Sequence, residues 1–351
     1  MNGEYRVGII GLGRMGARID DEMAGHPVFL VPYSHAAAFA HEPRTRLVAG
    51  AAPGEESRAR FQQRYGNVRT YADYNEMLEE ENLDIVGVAT HAPLHADATV
   101  AAAAAGARGI LVTKPMAISL AECDRMMEAC RQHGSKLTIG HGRRWMAHYR
   151  YARELIAEGA VGEVREATAY CTHGLVHNVT HLFDILLMLL DEPMAWMVGY
   201  LEGEFNPPET VTHRIDASGG GIGRTRSGVA VHFAGAHDKI LGLDIDIVGT
   251  DGVLRCLYNG LGLELWENDP DDPYTRLRMA EIDPPQETAS QTTGAIKDLI
   301  QAIETDGETC STGEDGRAAL EMCIAIHESQ RLGNQRIDFP VQNRDLSVWC
   351  R

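Results

Sequence analysis

The apolar run Tyr5 to Ile10 opens directly onto Gly11-Leu12-Gly13-Arg14-Met15-Gly16. Alone, G-x-G-x-x-G spacing constrains little. Placed at the end of a strand and the start of a helix, it confines the chain to a βα unit. The glycines there permit a tight turn, close approach of a pyrophosphate to the backbone, and close helix–strand packing. Free N–H groups at the start of the following helix would point toward the phosphates. The stretch after Gly16, from Asp20-Asp21-Glu22 to Pro32, is long for a simple first helix and contains prolines, so an insertion is expected there.

From Tyr5 to about Ile139 short β-branched runs alternate with amphipathic stretches, the pattern of βαβ units around a parallel sheet. The expected strands are Tyr5–Ile10, Arg46–Ala51, Asp84–Ala89, Gly109–Val112 and Lys136–Ile139. Helices are expected at Ser34–Ala40, Glu55–Tyr65, Tyr74–Glu80, Pro93–Ala105 and Ser119–His133, the last opened by a capping box of Ser119 and Glu122. After a linking helix, Ala147–Glu158, the pattern changes to longer strands: Glu163–Thr172, Trp196–Glu202, Gly228–Phe233, Lys239–Gly249 and Leu261–Trp266. One apolar helix, His181–Leu190, interrupts them, and Asp244-Ile245-Asp246-Ile247 alternates as a sheet with one wet face does. Ser218–Gly223 and Asn268–Asp272 read as solvated loops. The expectation is an α/β protein with a doubly wound parallel-sheet domain over 1–145. A second α/β domain with a large, mostly antiparallel open sheet follows over 146–351. The two C-terminal helices, about Thr293–Glu304 and Glu314–Leu332, would pack back on the first domain.

Fifty acidic against 32 basic residues give a formal charge of −18, which repels phosphate backbones and anionic lipid headgroups. No nucleic-acid or membrane partner is therefore expected. Apolar stretches are far shorter than the roughly 20 residues of a membrane helix. With no leader pattern at the N-terminus, a cytoplasmic location is expected. Seven scattered cysteines without C-x-x-C or Cys/His ligand spacing argue against disulfides and against any metal site.

In open α/β sheets ligands lie beyond the carboxyl ends of the strands. The second strand ends in Ala52-Pro53, where an acidic residue would usually hold an adenosine ribose. Glu55 or Glu56 would serve NAD from the following turn, whereas Ser57 and Arg58 would receive the 2′-phosphate of NADP; the reading leans to NAD. Three further loops leave strand ends: Thr90 to His95, Thr113-Lys114-Pro115, and His141 to Trp145. Lys114, fixed by the following proline, suits the binding of a substrate hydroxyl and the tuning of its proton transfer. His95 reads either as a site residue or as a helix start, and Arg143 and Arg144 as paired or solvated. His181 and Asp184, three apart on one helix face, allow a carboxylate to orient an imidazole, and His177 lies one turn before them.

Taken together, these motifs resemble the family of glucose–fructose oxidoreductase, inositol dehydrogenase and rhizopine catabolism proteins, Gfo/Idh/MocA. The resemblance rests on Gly11 to Gly16, Ala89-Thr90 to His95, Lys114-Pro115, Arg143-Arg144-Trp145, Glu158 to Glu163, and His181 to Asp184. It implies a Rossmann domain and a second domain whose open sheet serves the active site on one side and subunit contacts on the other. It further implies NAD(P)-dependent oxidation or reduction of a sugar, polyol or cyclitol hydroxyl, in a homodimer or homotetramer. On this resemblance Lys114 matches the lysine of a Glu-Lys-Pro motif, and His181 and Asp184 match its His-x-x-Asp. His181 would be the acid/base, Lys114 would hold the hydroxyl and nicotinamide in register, and Asp184 would orient substrate or histidine. The implied cofactor set is Gly11, Gly13, Arg14, Met15, Gly16, Thr90, His95, Thr113 and Lys114; the implied catalytic set is Lys114, His181, Asp184 and His177. Three departures stand out: Thr113 replaces the usual glutamate, His177 stands where many members carry aspartate, and His91 where proline is common. Two alternatives follow, an NAD-dependent glycoside-cleaving enzyme using transient oxidation and a non-catalytic dinucleotide sensor.

Overall fold

Strands β1 (Tyr5–Ile10), β2 (Thr45–Ala51), β3 (Arg69–Tyr71), β4 (Ile85–Val88), β5 (Gly109–Thr113) and β6 (Lys136–Gly140) form one parallel sheet in the order β3-β2-β1-β4-β5-β6. The computed structural model describes residues 4–26, 29–172, 174–202, 214–235, 242–272, 274 and 276–349. Val7, Ile9, Ile85, Val86, Val88, Ile110 and Val112 are fully buried. Strands covered on both faces lose the alternation of a half-wet sheet, which is why these runs are continuously apolar. The order reverses between β1 and β4, leaving a switch point at their carboxyl ends.

The intervening helices are α1 (Asp20–Met23), α2 (His35–His41), α3 (Glu55–Tyr65), α4 (Tyr74–Glu81), α5 (His95–Ala104) and α6 (Leu120–His133). At α6 the Ser119 hydroxyl accepts from the Glu122 amide at 3.3 Å, while the Glu122 carboxylate reaches back to the Ile118 amide at 3.1 Å. After the glycine loop the chain makes a π turn, Arg14–Arg18, before α1. The excursion that follows returns at Tyr33 and Ser34, whose amides donate to the buried Asp20 carboxylate at 2.5 and 3.3 Å. Ser34 then caps α2 by accepting from the Ala37 amide at 3.2 Å. Pro27 and Val28, inside this excursion, lie outside the described residues.

The chain divides into two compact units, Met1–Gly142 with Thr288–Arg317, and Arg143–Glu287 with Ala318–Arg351. The second opens with α7 (Ala147–Ala157) and β7 (Val164–Cys171), then a π turn, Leu175–Val179, that runs into α8 (Thr180–Leu190). Strands β8 (Met194–Leu201), β9 (Arg214–Ile215), β10 (Gly219–Thr225), β11 (Ala230–Gly235), β12 (Leu243–Gly249), β13 (Gly252–Leu257), β14 (Gly262–Asn268) and β15 (Leu277–Met279) follow, with β16 (Ile337–Asp338) and β17 (Val348–Trp349) near the C-terminus. Nine of them pair in the order β15-β14-β13-β12-β7-β11-β10-β8-β16, antiparallel except at β7–β11. Asp244 and Asp246 on β12 are part-exposed while Ile245 and Ile247 are fully buried. On the buried face Phe183 of α8 meets Phe233 edge-on, ring centroids 5.0 Å apart. Each fully buried side chain such as Leu182, Phe183 or Ile185 contributes about 1.5–3 kcal/mol of apolar transfer.

One expectation needs correction. Ser218–Gly223 is not a solvated loop: Gly219–Thr225 is strand β10, between β8 and β11. A Cβ on Gly221 would lie 2.3 Å from the Val198 carbonyl, so glycine here answers the close approach of a neighbouring strand. The strand expected from Lys239 is described from Leu243, residues 239–241 lying outside the described set. Last in order come α9 (Gln291–Thr305) and α10 (Gly313–Arg331). The first unit includes α9, which covers β5 and β6; Gly109 has no side chain where Leu299 and Ile303 press in. Among the described residues no helix is long and apolar enough to cross a membrane.

Candidate active site

The three glycines of the loop answer three different constraints. Gly11 has φ +95°, and a Cβ there would lie 2.5 Å from the Ala89 carbonyl, so it lets the ends of β1 and β4 meet. A Cβ on Gly16 would lie 1.8 Å from the Gly11 carbonyl, so it lets the π turn fold back on the loop. At Gly13 a Cβ would meet nothing within 4 Å. Only this glycine faces open space, at the switch point where a pyrophosphate would lie against bare backbone, and the loop thus fits a dinucleotide. Arg14, beside it, is exposed and paired with Glu22 at 2.7 Å, and Met15 is half-buried.

This division of labour gives a first expected result. Gly13→Ala leaves folding stability within about 0.5 kcal/mol, and it weakens dinucleotide binding about tenfold or more. Gly16→Ala, forced against backbone, costs about 1–3 kcal/mol of stability. Thermal melting and a fluorescence titration with NADH separate the two; equal melting losses would remove the distinction.

At the end of β2, Arg58 lies back on the turn, its Nη1 donating to the carbonyls of Ala52 at 2.7 Å and Pro53 at 2.8 Å. Glu56 pairs with Arg60 on the first turns of α3, while Glu55 is exposed.

The loops after β4 and β5 are tied together by His95, which is 1% exposed. Its Nδ1 lies 2.9 Å from the Pro115 carbonyl, and its Nε2 lies 3.1 Å from the Thr90 carbonyl and 3.2 Å from Thr113 Oγ1. Burial lowers its pKa and keeps the ring neutral, so one nitrogen donates while the other accepts. A neutral ring has one N–H to give, so it donates to the carbonyl of Pro115 or to that of Thr90; with the proton on Nδ1, the Thr113 hydroxyl donates to Nε2. His95 therefore fixes the turn that carries Lys114, and Thr113 contributes a hydroxyl to that clamp. Lys114 is half-buried, Thr90 half-buried and His91 exposed; the Lys114–Pro115 bond is cis. The structure thus brings Gly11 to Gly16, Thr90, His95, Thr113 and Lys114 to one edge of the parallel sheet.

In the second unit, Arg144 Nε donates to both carboxylate oxygens of Asp184, at 2.8 and 2.9 Å, with side chains 7% and 0% exposed. Its neighbour Arg143 donates from Nε to Asn259 Oδ1 at 2.6 Å. Asp184 thus braces α8 against the segment that follows β6, a partner that its three-residue spacing from His181 does not reveal. His181 is half-buried one turn earlier and His177 is exposed in the π turn. Sequence reasoning passed over Asp216, whose carboxylate accepts from the amides of Val176 at 2.9 Å and His177 at 2.8 Å. No local pattern links residues forty apart in the chain. The cysteines at 123, 130, 171, 256 and 323 are buried, Cys310 is exposed, and burial pushes the Cys130 and Cys256 thiols up to about 12.

Residues 5–141 match the oxidoreductase family with an NAD-binding Rossmann fold. 1,5-Anhydro-D-fructose reductase of Ensifer adhaerens is 27% identical over 309 residues, covering 82% of this chain and 89% of that protein. Aldose-aldose oxidoreductase of Caulobacter crescentus, solved with glycerol, shares the fold at a TM-score of 0.76 and 21% identity, over 96% of this chain and 100% of its own. The WlbA dehydrogenase of Bordetella pertussis, solved with NADH and UDP-GlcNAcA, does so at 0.76 and 21% over 97% and 100%. The family match over residues 5–141 agrees with the reading made from the motifs there, and along its whole length the chain shares its fold with these solved structures.

Proposed function

We propose that this protein is an NAD-dependent dehydrogenase or reductase acting on a secondary hydroxyl, or the matching ketone, of a sugar, sugar derivative or cyclitol in the cytoplasm. The observation that carries the reading is the shared edge of the parallel sheet, where Gly13 leaves bare backbone and the His95 clamp presents Lys114. A bound nicotinamide supplies the hydride acceptor or donor. In the oxidative direction His181 would accept the proton of the substrate hydroxyl. Lys114 holds the same hydroxyl oxygen, and a positioned base and a fixed oxygen together lower the barrier. Asp184, buried against Arg144, acts through α8 by holding His181 in place. With the cofactor bound, Gly11 to Gly16 would hold its phosphates, Arg14, Met15, Thr90 and Thr113 would contribute to its site, and His177 would face substrate. NAD is favoured because Glu55 is exposed for the ribose diol and Arg58 is engaged by two carbonyls. A second copy of the chain covers the open sheet face, where Tyr170, Tyr200 and Ile222 line a groove of about 420 Å³, making a homodimer or homotetramer.

The test is the nicotinamide absorbance change with NAD or NADP over a panel of sugars, sugar acids and cyclitols, repeated with Lys114→Ala. Turnover is expected with NAD and a loss of about 10²-fold or more in the variant. Turnover with NADP alone would overturn the cofactor assignment. Silence across the panel with cofactor bound would replace the dehydrogenase by the internally recycled glycosidase or the sensor.

A further inference from the structure

The helical run that carries His177, His181 and Asp184 begins with amides that no earlier turn of helix can satisfy. One distant segment satisfies three of them. Leu175 N–H donates to the Ala217 carbonyl at 2.9 Å, Val176 N–H to Asp216 Oδ1 at 2.9 Å, and His177 N–H to Asp216 Oδ2 at 2.8 Å. The contact is fitted from the other side as well: a Cβ on Gly174 would lie 2.3 Å from Asp216 Oδ2, so glycine at 174 admits the carboxylate. Asp216 is itself held, its own amide donating to the Trp349 carbonyl at 2.7 Å, just past the parallel pairing of β9 with β17. A chain of hydrogen bonds, through the backbone of Asp216 on one side and its carboxylate on the other, therefore runs from β17 to the first turn before α8.

We infer that Asp216 is a positioning residue for catalysis, a remote cap anchored by β17 that fixes where the α8 run starts and hence where His181 stands. The inference rests on the proposal that His181 is the acid/base. A capping carboxylate that meets two amides sets both the axial position and the rotation of the helix it caps. Loss of that constraint leaves α8 attached through Asp184 but free to shift at its catalytic end, and misplacement of about 1 Å costs about 10²-fold in rate.

The experiment compares Asp216→Ala, Asp216→Asn, Gly174→Ala and His181→Ala in the full chain, reading kcat, KM, NADH affinity and amide exchange. Asp216→Ala should lower kcat about 10- to 100-fold with KM and NADH affinity within about twofold of the parent. Asn keeps one acceptor oxygen and should restore part of kcat, while Gly174→Ala, crowding the carboxylate, should reproduce the loss. Faster exchange should be confined to Leu175, Val176 and His177. Unchanged kcat in Asp216→Ala, or a loss shared with NADH affinity and with exchange across the whole unit, overturns the inference. Should His181→Ala retain turnover, the acid/base assignment fails by itself. Exchange at those three amides then decides whether Asp216 caps the run, unchanged protection refuting it.

Discussion

Alanine at position 181 should abolish useful turnover, a loss of about 10²–10⁴-fold in kcat, while NADH still binds with affinity within about twofold of the parent. The reason is a separation of tasks between residues. On the proposed function the dinucleotide would lie against Gly11 to Gly16 at the end of β1, whereas His181 belongs to α8 in the other unit. On that reading, removing the imidazole takes away the proposed proton acceptor and leaves the residues of the glycine loop unchanged. A variant that turns over at the parent rate would remove His181 from the mechanism, and one that also loses NADH would show that the two tasks are not separate.

The second large effect concerns stability. Arg144→Met leaves the Asp184 carboxylate, wholly shielded from water, without its guanidinium. Breaking a buried pair from one side costs about 3–5 kcal/mol, because the remaining charge keeps its desolvation penalty. Replacing both, Arg144→Met with Asp184→Leu, should recover most of that loss, since apolar pairs of similar volume often match a buried ion pair. Urea unfolding of the two single variants and the double variant measures it. A loss below about 1 kcal/mol in Arg144→Met would place the pair among weak surface interactions instead. Activity need not return with stability in the double variant, because α8 would no longer be oriented by a directional contact.

Much of the first unit could be read from the chain because its signals are local. The bounds of α3 at Glu55–Tyr65 are those its amphipathic run marks, and Ser119 caps α6 as its spacing with Glu122 implies. Strand β3 escaped because three residues at a sheet edge, the first of them exposed, carry no apolar run. Strand β10 escaped for the opposite reason: its glycines have no side chains to alternate, and their use appears only once β8 lies beside them. At the site, the glycine loop and the Lys114-Pro115 turn were legible as motifs. Their supports were not, since His95 reaches Thr113 across 18 residues, and Asp184 reaches Arg144 across 40. Long-range polar contacts leave no periodicity behind them.

The return of α9 to cover β5 and β6 has a consequence for how the protein is made. On the ribosome the first six strands emerge well before Thr288, and residues 143–287 must be synthesised in between. At about 5–20 residues per second that interval is on the order of ten seconds. Throughout it the apolar surface that Ala295, Ile296, Leu299 and Ile300 will seal stands bare on the nascent chain. The dinucleotide-binding unit is thus completed late, by a segment translated after most of its neighbour. A messenger cut short after the sixth strand would yield a sticky fragment that chaperones retain, rather than a small domain able to stand alone.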